Sequence, residues 1–484
     1  MPPCKIRGPL VAQRPSFVPA SRRVHKDCFT VNILNQVLIA LGDNLAKIRK
    51  TSKCIQGVHP RDLASLAGET TIFGGSAAEK LKRLQAELEP LSRRYDVVVA
   101  NPPYMGSSNM NGWISKWVKS NYLTAKSDLC TCFFERGQVL ADPIGYISMI
   151  TASSWMFISS FEKFRKGLLT HGSICSMIQQ STHGYAGVTV PTTMFVYACN
   201  RLGVIGSYIR LEDFDRPQWQ EPRALEALAN PDCGWFYRAD TSGFKAIPGS
   251  PIAYWASSSL IAAFGRYPQL GDVCSPKAGL STADNDRFLR FWWEVSNSHV
   301  AFDSSNQEIM KLNSISFKWF PMTKGGTYRK WFGNNEYVIN FKNDGQELKD
   351  WLVNNPKDPS TTSYSRYIRN YEKYCEAGIS FSDVSSGQPH FRQQPAGYIP
   401  NARGPFLYTD DISLLAFLNS SVTKTILEVL APTLTFNVGD LAKLPIAAIE
   451  EPEVKNNAHA NISFSEMDWN SFETSWNYTR HPLV

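Results

Sequence analysis

The stretch of sequence that decides the fold is YDVVVANPPY, residues 95–104. Its first half, Asp96 to Ala100, is an apolar and β-branched run, which favours a buried strand. Asn101-Pro102-Pro103 ends that strand abruptly, because proline lacks a backbone donor and restricts the residue before it. Since ligands of open α/β sheets bind beyond the carboxyl ends of the strands, the loop from Asn101 to Tyr104 is predicted to meet a substrate.

The segments on either side of this loop alternate between helix and strand. Before it, leucines at positions 81, 84, 88 and 91 fall at helical spacing. After it, the pattern predicts helices at Lys126–Ala141 and Ser160–Leu169, and strands at Ile144–Thr151, Ser173–Gln180 and Thr192–Cys199. This alternation predicts an open α/β sheet with helices on both faces.

The composition indicates a globular protein of more than one domain. The chain has 484 residues, of which 43% are hydrophobic and 12% aromatic. A net charge of +7 permits an anionic partner without identifying one. The ten cysteines lack metal-ligand spacing, so no metal site is predicted. Without a secretory signal or an apolar run of about 18 residues, the sequence predicts a cytoplasmic protein with no membrane span.

Changes in composition and periodicity along the sequence predict four segments. Residues 1–70 show no sustained period and form a poorly defined N-terminal segment. Residues 71–215 contain the predicted sheet and the Asn-Pro-Pro-Tyr loop. Residues 216–446, with short strands and many Gly and Pro turns, predict an α+β or mostly β domain. Residues 447–484 are polar and are predicted to be the start of a truncated C-terminal region.

The residue types of the loop fit transfer of a methyl group to an exocyclic aromatic amine. Such an amine is a poor nucleophile, and acceptors for its two N–H groups favour a pyramidal nitrogen. The Asn101 Oδ1 atom and the Pro102 carbonyl are the natural acceptors, while Pro103 restricts the loop and Tyr104 offers a face for stacking. A target base must be flipped out of a duplex to reach this loop. The transfer would be a direct displacement at a sulfonium carbon.

An ordinary strand-ending turn is the alternative interpretation of these four residues, because Asn-Pro commonly opens turns. The strand before the loop and Gly106 after it favour the catalytic interpretation, since a motif in its predicted context is more specific than the motif alone.

Four stretches carry a resemblance to a known family: Tyr95 to Gly106, Lys126 to Leu129, Ile150-Thr151 and Trp155 to Arg165. They resemble the gamma-class adenine-N6 DNA methyltransferases, and among them the PglX-like enzymes of BREX phage-defence systems, with type IIG restriction–modification enzymes as relatives. The resemblance implies a partial Rossmann-like class I methyltransferase sheet, followed by an α+β target-recognition domain that binds DNA.

The resemblance also implies roles for individual residues. It makes Asn101, Pro102, Pro103 and Tyr104 the catalytic motif. Enzymes of this family place an aromatic residue opposite the flipped base, and Tyr185 matches it by position. A tyrosine in a mobile loop is the alternative for Tyr185.

S-adenosyl-L-methionine is the cofactor that the resemblance implies, and double-stranded DNA with a flipped adenine is the implied substrate. The family carries a Gly-rich loop and a downstream acidic residue for this cofactor. No such phrase precedes Asn101, and Thr71 to Ser76 is the nearest candidate. The cofactor-binding residues are therefore unassigned. The chain is expected to be a fragment, whose missing N-terminal half or another defence-system protein would supply that site.

The recognition region of the family is resembled by residues 248–255, 279–293, 324–343 and 378–392, and its closing element by residues 435–440 and 444–446. Within it, Lys324, Arg329, Lys330 and Trp331 suit contact with phosphate and a groove. A solvated surface hairpin is the alternative. The family's Thr-Gly-Asp-Asn is here Thr282-Ala-Asp-Asn285, which puts the local turn in doubt because glycine tolerates a positive φ.

Three functions remain open at this stage. The leading one is a site-specific adenine-N6 DNA methyltransferase. A non-catalytic DNA-binding fragment or subunit is the second, favoured by the missing cofactor loop. A protein glutamine or RNA methyltransferase is the third, since these also use an Asn-Pro-Pro-Tyr loop, and N4-cytosine methylation would use the same geometry.

Overall fold

The computed structural model describes residues 86, 89–185, 189–355, 358–383, 388–432, 437–447 and 451–481. The segment 1–70, the Thr71 to Ser76 phrase and most of the helix predicted before Tyr95 lie outside these residues. The helical residues 89–92 lead directly into the first described strand.

The first sheet has six strands in the order β1-β2-β4-β3-β5-β6. Strands β1 and β2 are parallel, as are β3 and β5, whereas β4 is antiparallel to both of its neighbours and β6 is antiparallel to β5. The strands are β1 (Tyr95–Ala100), β2 (Ala141–Ala152), β3 (Gly172–Gln180), β4 (Thr192–Cys199), β5 (Ile205–Leu211) and β6 (Phe236–Asp240). Their helices are α1 (Gly112–Asn121), α2 (Leu129–Leu140), α3 (Glu162–His171) and α4 (Pro217–Ala229).

The predicted α/β sheet with helices on both faces is confirmed. Phe134 of α2 and Leu168 of α3 pack in one core cluster with Tyr208 of β5, while Ala227 of α4 packs in another with Ile209. Adjacent strand residues point to opposite faces, so helices cover both sides of β5. The predicted strand and helix limits hold to within three residues. The helix predicted from Lys126 begins at Leu129 instead, because Asp128 caps it.

The burial predicted for the strand before the motif is not found. Val97 and Val99 of β1 are 54% and 74% exposed. Among the described residues β1 pairs with β2 alone, so it lies at an edge of the described sheet. A β-branched run favours a strand whose faces are covered, but it does not indicate which neighbours cover them.

The rest of the described chain is α+β, built on two smaller sheets. One has the order β11-β10-β13 and the other β12-β8-β9-β7. The strands are β7 (Leu289–Phe291), β8 (Trp319–Thr323), β9 (Tyr337–Asn340), β10 (Gly378–Phe381), β11 (Phe391–Gln394), β12 (Ile399–Pro400) and β13 (Phe406–Leu407). The helices are α5 (Ser258–Arg266), α6 (Leu270–Val273), α7 (Asn285–Phe288), α8 (Gln307–Ser316), α9 (Lys342–Val353), α10 (Ile412–Leu418), α11 (Ser421–Leu430), α12 (Val438–Leu441) and α13 (Pro452–Trp469).

Two details bear on the predicted segment limits, which remain a prediction. Strand β6 extends the first sheet to Asp240, beyond the predicted limit at residue 215. Helix α13 belongs to the predicted C-terminal segment, yet its Ile462 is buried in the same core as Leu415 of α10. None of the described helices has by itself the length and apolar composition of a membrane span; α10 and α11, bent by 63°, meet those criteria only as a pair.

Arg165 ties the first sheet to the chain that follows it. Its side chain is 1% exposed, and its guanidinium donates to the carbonyls of Trp155, Ile158, Gly249 and Ser250 at 2.7–3.1 Å. Burial lowers the pKa of this guanidinium to about 10, so it stays charged at neutral pH. Four carbonyl oxygens, rather than a carboxylate, therefore satisfy the charge.

The turn in which this chain departs from the family keeps a glycine-like backbone. Ala283 has a φ of 55°, in the left-handed region that glycine adopts without strain. The Asp284 carboxylate accepts from the Arg287 amide at 3.2 Å, and the Thr282 hydroxyl donates to Asn285 at 2.7 Å. These hydrogen bonds hold the turn although the residue at its centre is alanine.

Candidate active site

The carboxyl ends of three strands meet at one edge of the first sheet. Strands β1, β2 and β3 run in the same direction, because β4 lies antiparallel between β2 and β3. The Asn101 loop follows β1, the segment from Ser153 follows β2, and the segment from Ser181 follows β3. Residues far apart in the sequence are thereby collected at one edge, as in other open α/β sheets.

Asn101 and Pro102 present unoccupied acceptors at this edge. The Asn101 residue is exposed, and Pro102 is buried behind it. In the described part of the chain, no donor is bonded to the Asn101 side chain or to the Pro102 carbonyl oxygen. Two oxygens on consecutive residues thus lack an intramolecular donor among the described residues.

Tyr104 and Tyr185 lie near each other across the site. Burial, the Cys130 thiol and the Tyr185 hydroxyl together raise the pKa of Tyr104 to about 12. Both rings are still partly open to solvent, at 38% and 39% exposure, and the Tyr185 hydroxyl points at the Met194 sulfur at 3.9 Å. The structure therefore brings the two predicted aromatic residues near each other, from the loops that follow β1 and β3, and both rings are partly exposed.

Asp128 holds the segment that leaves the motif, a contact that the sequence analysis missed. Its carboxylate Oδ1 accepts from the backbone amides of Met105 at 3.2 Å and Cys130 at 2.9 Å. Two backbone bonds flank it, from Leu129 to the Met105 carbonyl at 3.1 Å and from Ser107 to the Ser127 carbonyl at 2.9 Å. An aspartate directly before a helix is a recognisable N-cap signal, but its second acceptance from a distant loop has no local signal.

Cys130 lies beside the motif but is unsuited to act as a nucleophile. Its thiol is 1% exposed, and burial together with the Asp128 carboxylate raises its pKa well above the ordinary value. The thiolate is the reactive form of cysteine, so this thiol is inert at neutral pH. The arrangement fits direct transfer without a covalent intermediate on cysteine.

The cations predicted to contact DNA are engaged within the protein. Arg329 donates to the Asp468 carboxylate at 2.7 Å and lies 5.2 Å from the centre of the Trp469 ring. The Lys330 ammonium donates to the Asn419 carbonyl at 2.8 Å. The Lys324 ammonium lies 4.1 Å from the centre of the Tyr337 ring, and burial lowers its pKa.

Trp331 is half-buried with a φ of 72°, and its backbone bonds to the Phe391 carbonyl and the Gln393 amide. Around it, the exposed part of the segment is its tip, residues 326–328, where the Tyr328 ring is 54% exposed. DNA contact by Lys324, Arg329, Lys330 and Trp331 remains a prediction. The sequence could not reveal their intramolecular partners, which lie 13 to 139 residues away.

A complete pocket for S-adenosylmethionine is not found among the described residues. No glycine-rich turn with an acidic partner precedes β1 there, and β1 has a pairing strand on one side alone.

Part of the chain is similar to restriction–modification methylases. Residues 40–184 match the family model described as Eco57I restriction-modification methylase. The structure is similar to that of the type IIL restriction–modification enzyme MmeI in complex with DNA, with a TM-score of 0.52 and 11% identity over 81% of this chain and 52% of that one. At that identity the likeness establishes the fold alone, which is that of a class I methyltransferase.

Two relatives place the chain more narrowly. It is 36% identical over 415 residues to the adenine-specific methyltransferase PglX of Lacticaseibacillus casei (strain Zhang), covering 84% of this chain and 34% of that protein. It is 35% identical over 434 residues to the adenine-specific methyltransferase BrxX of Escherichia coli O9:H4 (strain HS), covering 87% and 33%. The chain belongs to this PglX-type family of adenine-specific methyltransferases, and it spans about a third of the length of these two relatives.

Proposed function

We propose that this chain is the amine-binding and DNA-recognition part of a site-specific adenine-N6 DNA methyltransferase of a phage-defence or restriction–modification system. The observation that carries the proposal is the pair of unengaged acceptors on Asn101 and Pro102, with Tyr104 beside them. The relatives named above are adenine-specific methyltransferases, which agrees with it.

The proposed mechanism begins with an adenine flipped out of duplex DNA. Its N6 amine donates one N–H to the Asn101 Oδ1 atom and the other to the Pro102 carbonyl oxygen. These bonds draw the nitrogen lone pair out of the ring and direct it away from the loop. The ring stacks on Tyr104, with Tyr185 across the site, and this stacking offsets the few kcal/mol lost on extrusion of the base.

S-adenosylmethionine is the proposed methyl donor, by analogy with the family, and none of the described residues is assigned to hold it. When bound, it supplies a methyl group on a sulfonium centre. The fixed acceptors raise the rate by orienting the amine before reaction, which is the contribution that preorganised groups make in other enzymes.

The test is a tritium-transfer assay of the full chain with labelled S-adenosylmethionine and DNA from a host that lacks N6-methyladenine. The expected product is N6-methyladenine, with none formed by Asn101→Ala. Isothermal titration with S-adenosylmethionine accompanies the assay, and Asn121→Ala, at the exposed end of α1, serves as a matched control with full activity. Methylated cytosine as the product would contradict the assignment of adenine.

A second candidate function is DNA recognition without modification, and the titration with S-adenosylmethionine distinguishes it from the first. A chain that binds duplex DNA but gives no heat with S-adenosylmethionine would be a recognition subunit that does not modify DNA by itself. Product formation only after addition of a second polypeptide would assign the cofactor site to that polypeptide.

A further inference from the structure

The contacts of Asp128 extend beyond those of a helix cap. As an N-cap it needs one bond, to the amide of the first turn, and the bond to Cys130 at 2.9 Å supplies it. The same Oδ1 atom also accepts from Met105, the residue directly after Tyr104, at 3.2 Å. One carboxylate oxygen thus joins α2 to the residue that directly follows the catalytic loop.

The surroundings of Asp128 make this bond a strong constraint. The residue is 8% exposed, and its carboxylate forms no salt bridge among the described residues. A buried carboxylate that lacks a cation depends on the N–H groups directed at it, and such charge-assisted bonds are stronger than neutral ones. A Cβ atom at Gly106 would lie 3.8 Å from Oδ2, so the loop passes close to the carboxylate.

The loop is held elsewhere by rigid covalent geometry rather than by hydrogen bonds. Pro102 and Pro103 fix φ at two successive positions and donate no hydrogen bond. The first backbone donor after the motif's tyrosine is the Met105 amide, and it is directed at Asp128. The Met105 carbonyl in turn accepts from Leu129 at 3.1 Å. The peptide between Tyr104 and Met105 is therefore held by Asp128, and the next peptide, between Met105 and Gly106, by Leu129.

We propose that Asp128 is a positioning residue for the catalytic loop: through the Met105 amide it fixes the Tyr104 ring at the angle required to stack on an extruded base. The proposal rests on the function proposed above, because it assigns the stacking partner to a base. Asp128 does not contact the base itself. Its effect passes through a single backbone amide.

Three substitutions separate this role from helix capping. Asp128→Asn keeps an oxygen at Oδ1 and caps a helix as well as aspartate does. Asp128→Ser still caps α2, but its shorter side chain does not extend to Met105. Asp128→Ala loses both bonds. If Asp128 were a cap alone, the Ser and Asn variants would behave alike; if it positions the loop, they differ.

The experiment measures two properties of the full-length variants. The first is hydrogen–deuterium exchange of residues 101–110, alongside the urea-induced unfolding of the whole protein. The second is the ratio of dissociation constants for two end-labelled duplexes, one with 2-aminopurine opposite an abasic site and one with the same base paired with thymine. The unpaired base needs less energy for extrusion because no base pair is broken, so the ratio reports the stacking site rather than general DNA affinity.

The expected result is that Asp128→Ser still unfolds in one cooperative urea transition, exchanges the Met105 amide at least roughly tenfold faster, and loses roughly tenfold of the preference for the unpaired base. Asp128→Asn stays within about threefold of the wild type in both measurements. Unchanged exchange of Met105 in Asp128→Ser would overturn the proposal. A wild-type chain without preference for the unpaired base would instead refute the proposed function, and the exchange data would still decide whether Asp128 holds the loop.

Discussion

Arg165 offers a large stability change that the described contacts predict. In Arg165→Met the apolar stem is kept, and the five bonds to four carbonyls are lost, two of them on the buried residues Trp155 and Ser250. Each buried acceptor left without a partner costs roughly 1 to 3 kcal/mol, while removal of a buried charge returns part of this. The expected loss in the free energy of unfolding is roughly 3 to 5 kcal/mol. Arg165→Lys has fewer donors, so its free energy of unfolding is expected to lie between those of the wild type and Arg165→Met.

The matched control is Lys166→Met, one position along the same helix. Lys166 is 59% exposed and pairs with Glu162 at 2.7 Å, so its loss should cost less than about 0.5 kcal/mol. Urea titration followed by tryptophan fluorescence gives both values. Hydrogen exchange of residues 247–255 should rise in Arg165→Met alone, because Gly249 and Ser250 lose their donor. A loss below about 1 kcal/mol in Arg165→Met would refute the reasoning, since water would then have replaced the guanidinium.

Three further predictions concern the part of the chain that follows the first sheet. Ala283→Gly should raise the free energy of unfolding by about 0.5 to 1 kcal/mol, because Ala283 has a φ of 55°. The control is Ala262→Gly, inside α5, which should lower the free energy of unfolding in the same urea titration. Burial, followed by the charge of Arg392, lowers the pKa of His390 to about 4. As the pH drops, the unfolded chain therefore protonates His390 before the folded protein does, and the stability falls between about pH 6.5 and 4. The expected loss is about 1 to 3 kcal/mol, and a His390→Gln variant with the same pH dependence would contradict it. Asp468→Asn removes the partner of Arg329; if Arg329 then contacts a phosphate, duplex affinity should rise and the slope of log affinity against log salt should steepen by about one. An unchanged slope would argue that Arg329 has a structural role only.

The first four strands of the first sheet were predictable because their signals are local, whereas β5 and β6 were not predicted. The run before Asn101 and the alternation after it place strands and helices to within three residues. The edge position of β1 was not predictable in this way, since Val97 and Val99 have the same sequence pattern whether or not a neighbouring strand covers them.

The candidate site likewise contains residues with a local signal in the sequence and residues without one. The proline motif can be recognised in the sequence because proline constrains the backbone locally. Tyr185 was found only through resemblance to a family. Asp128 and Arg165 were missed as contacts because their partners, Met105 and Gly249, lie 23 and 84 residues away. A hydrogen bond between distant segments leaves no period in the sequence, so it can be read only from the fold.

The inward-facing cations of the Lys324 to Trp331 segment have a consequence for protein engineering. Arg329 is bonded to Asp468 and Lys330 to Asn419, so the base of the segment is held in place. The exposed residues 326–328 form its tip. Libraries that vary Thr327 and Tyr328 alone would change what the tip presents while leaving its attachment intact. Such a graft site would allow surface chemistry to be exchanged between relatives without redesign of the underlying domain.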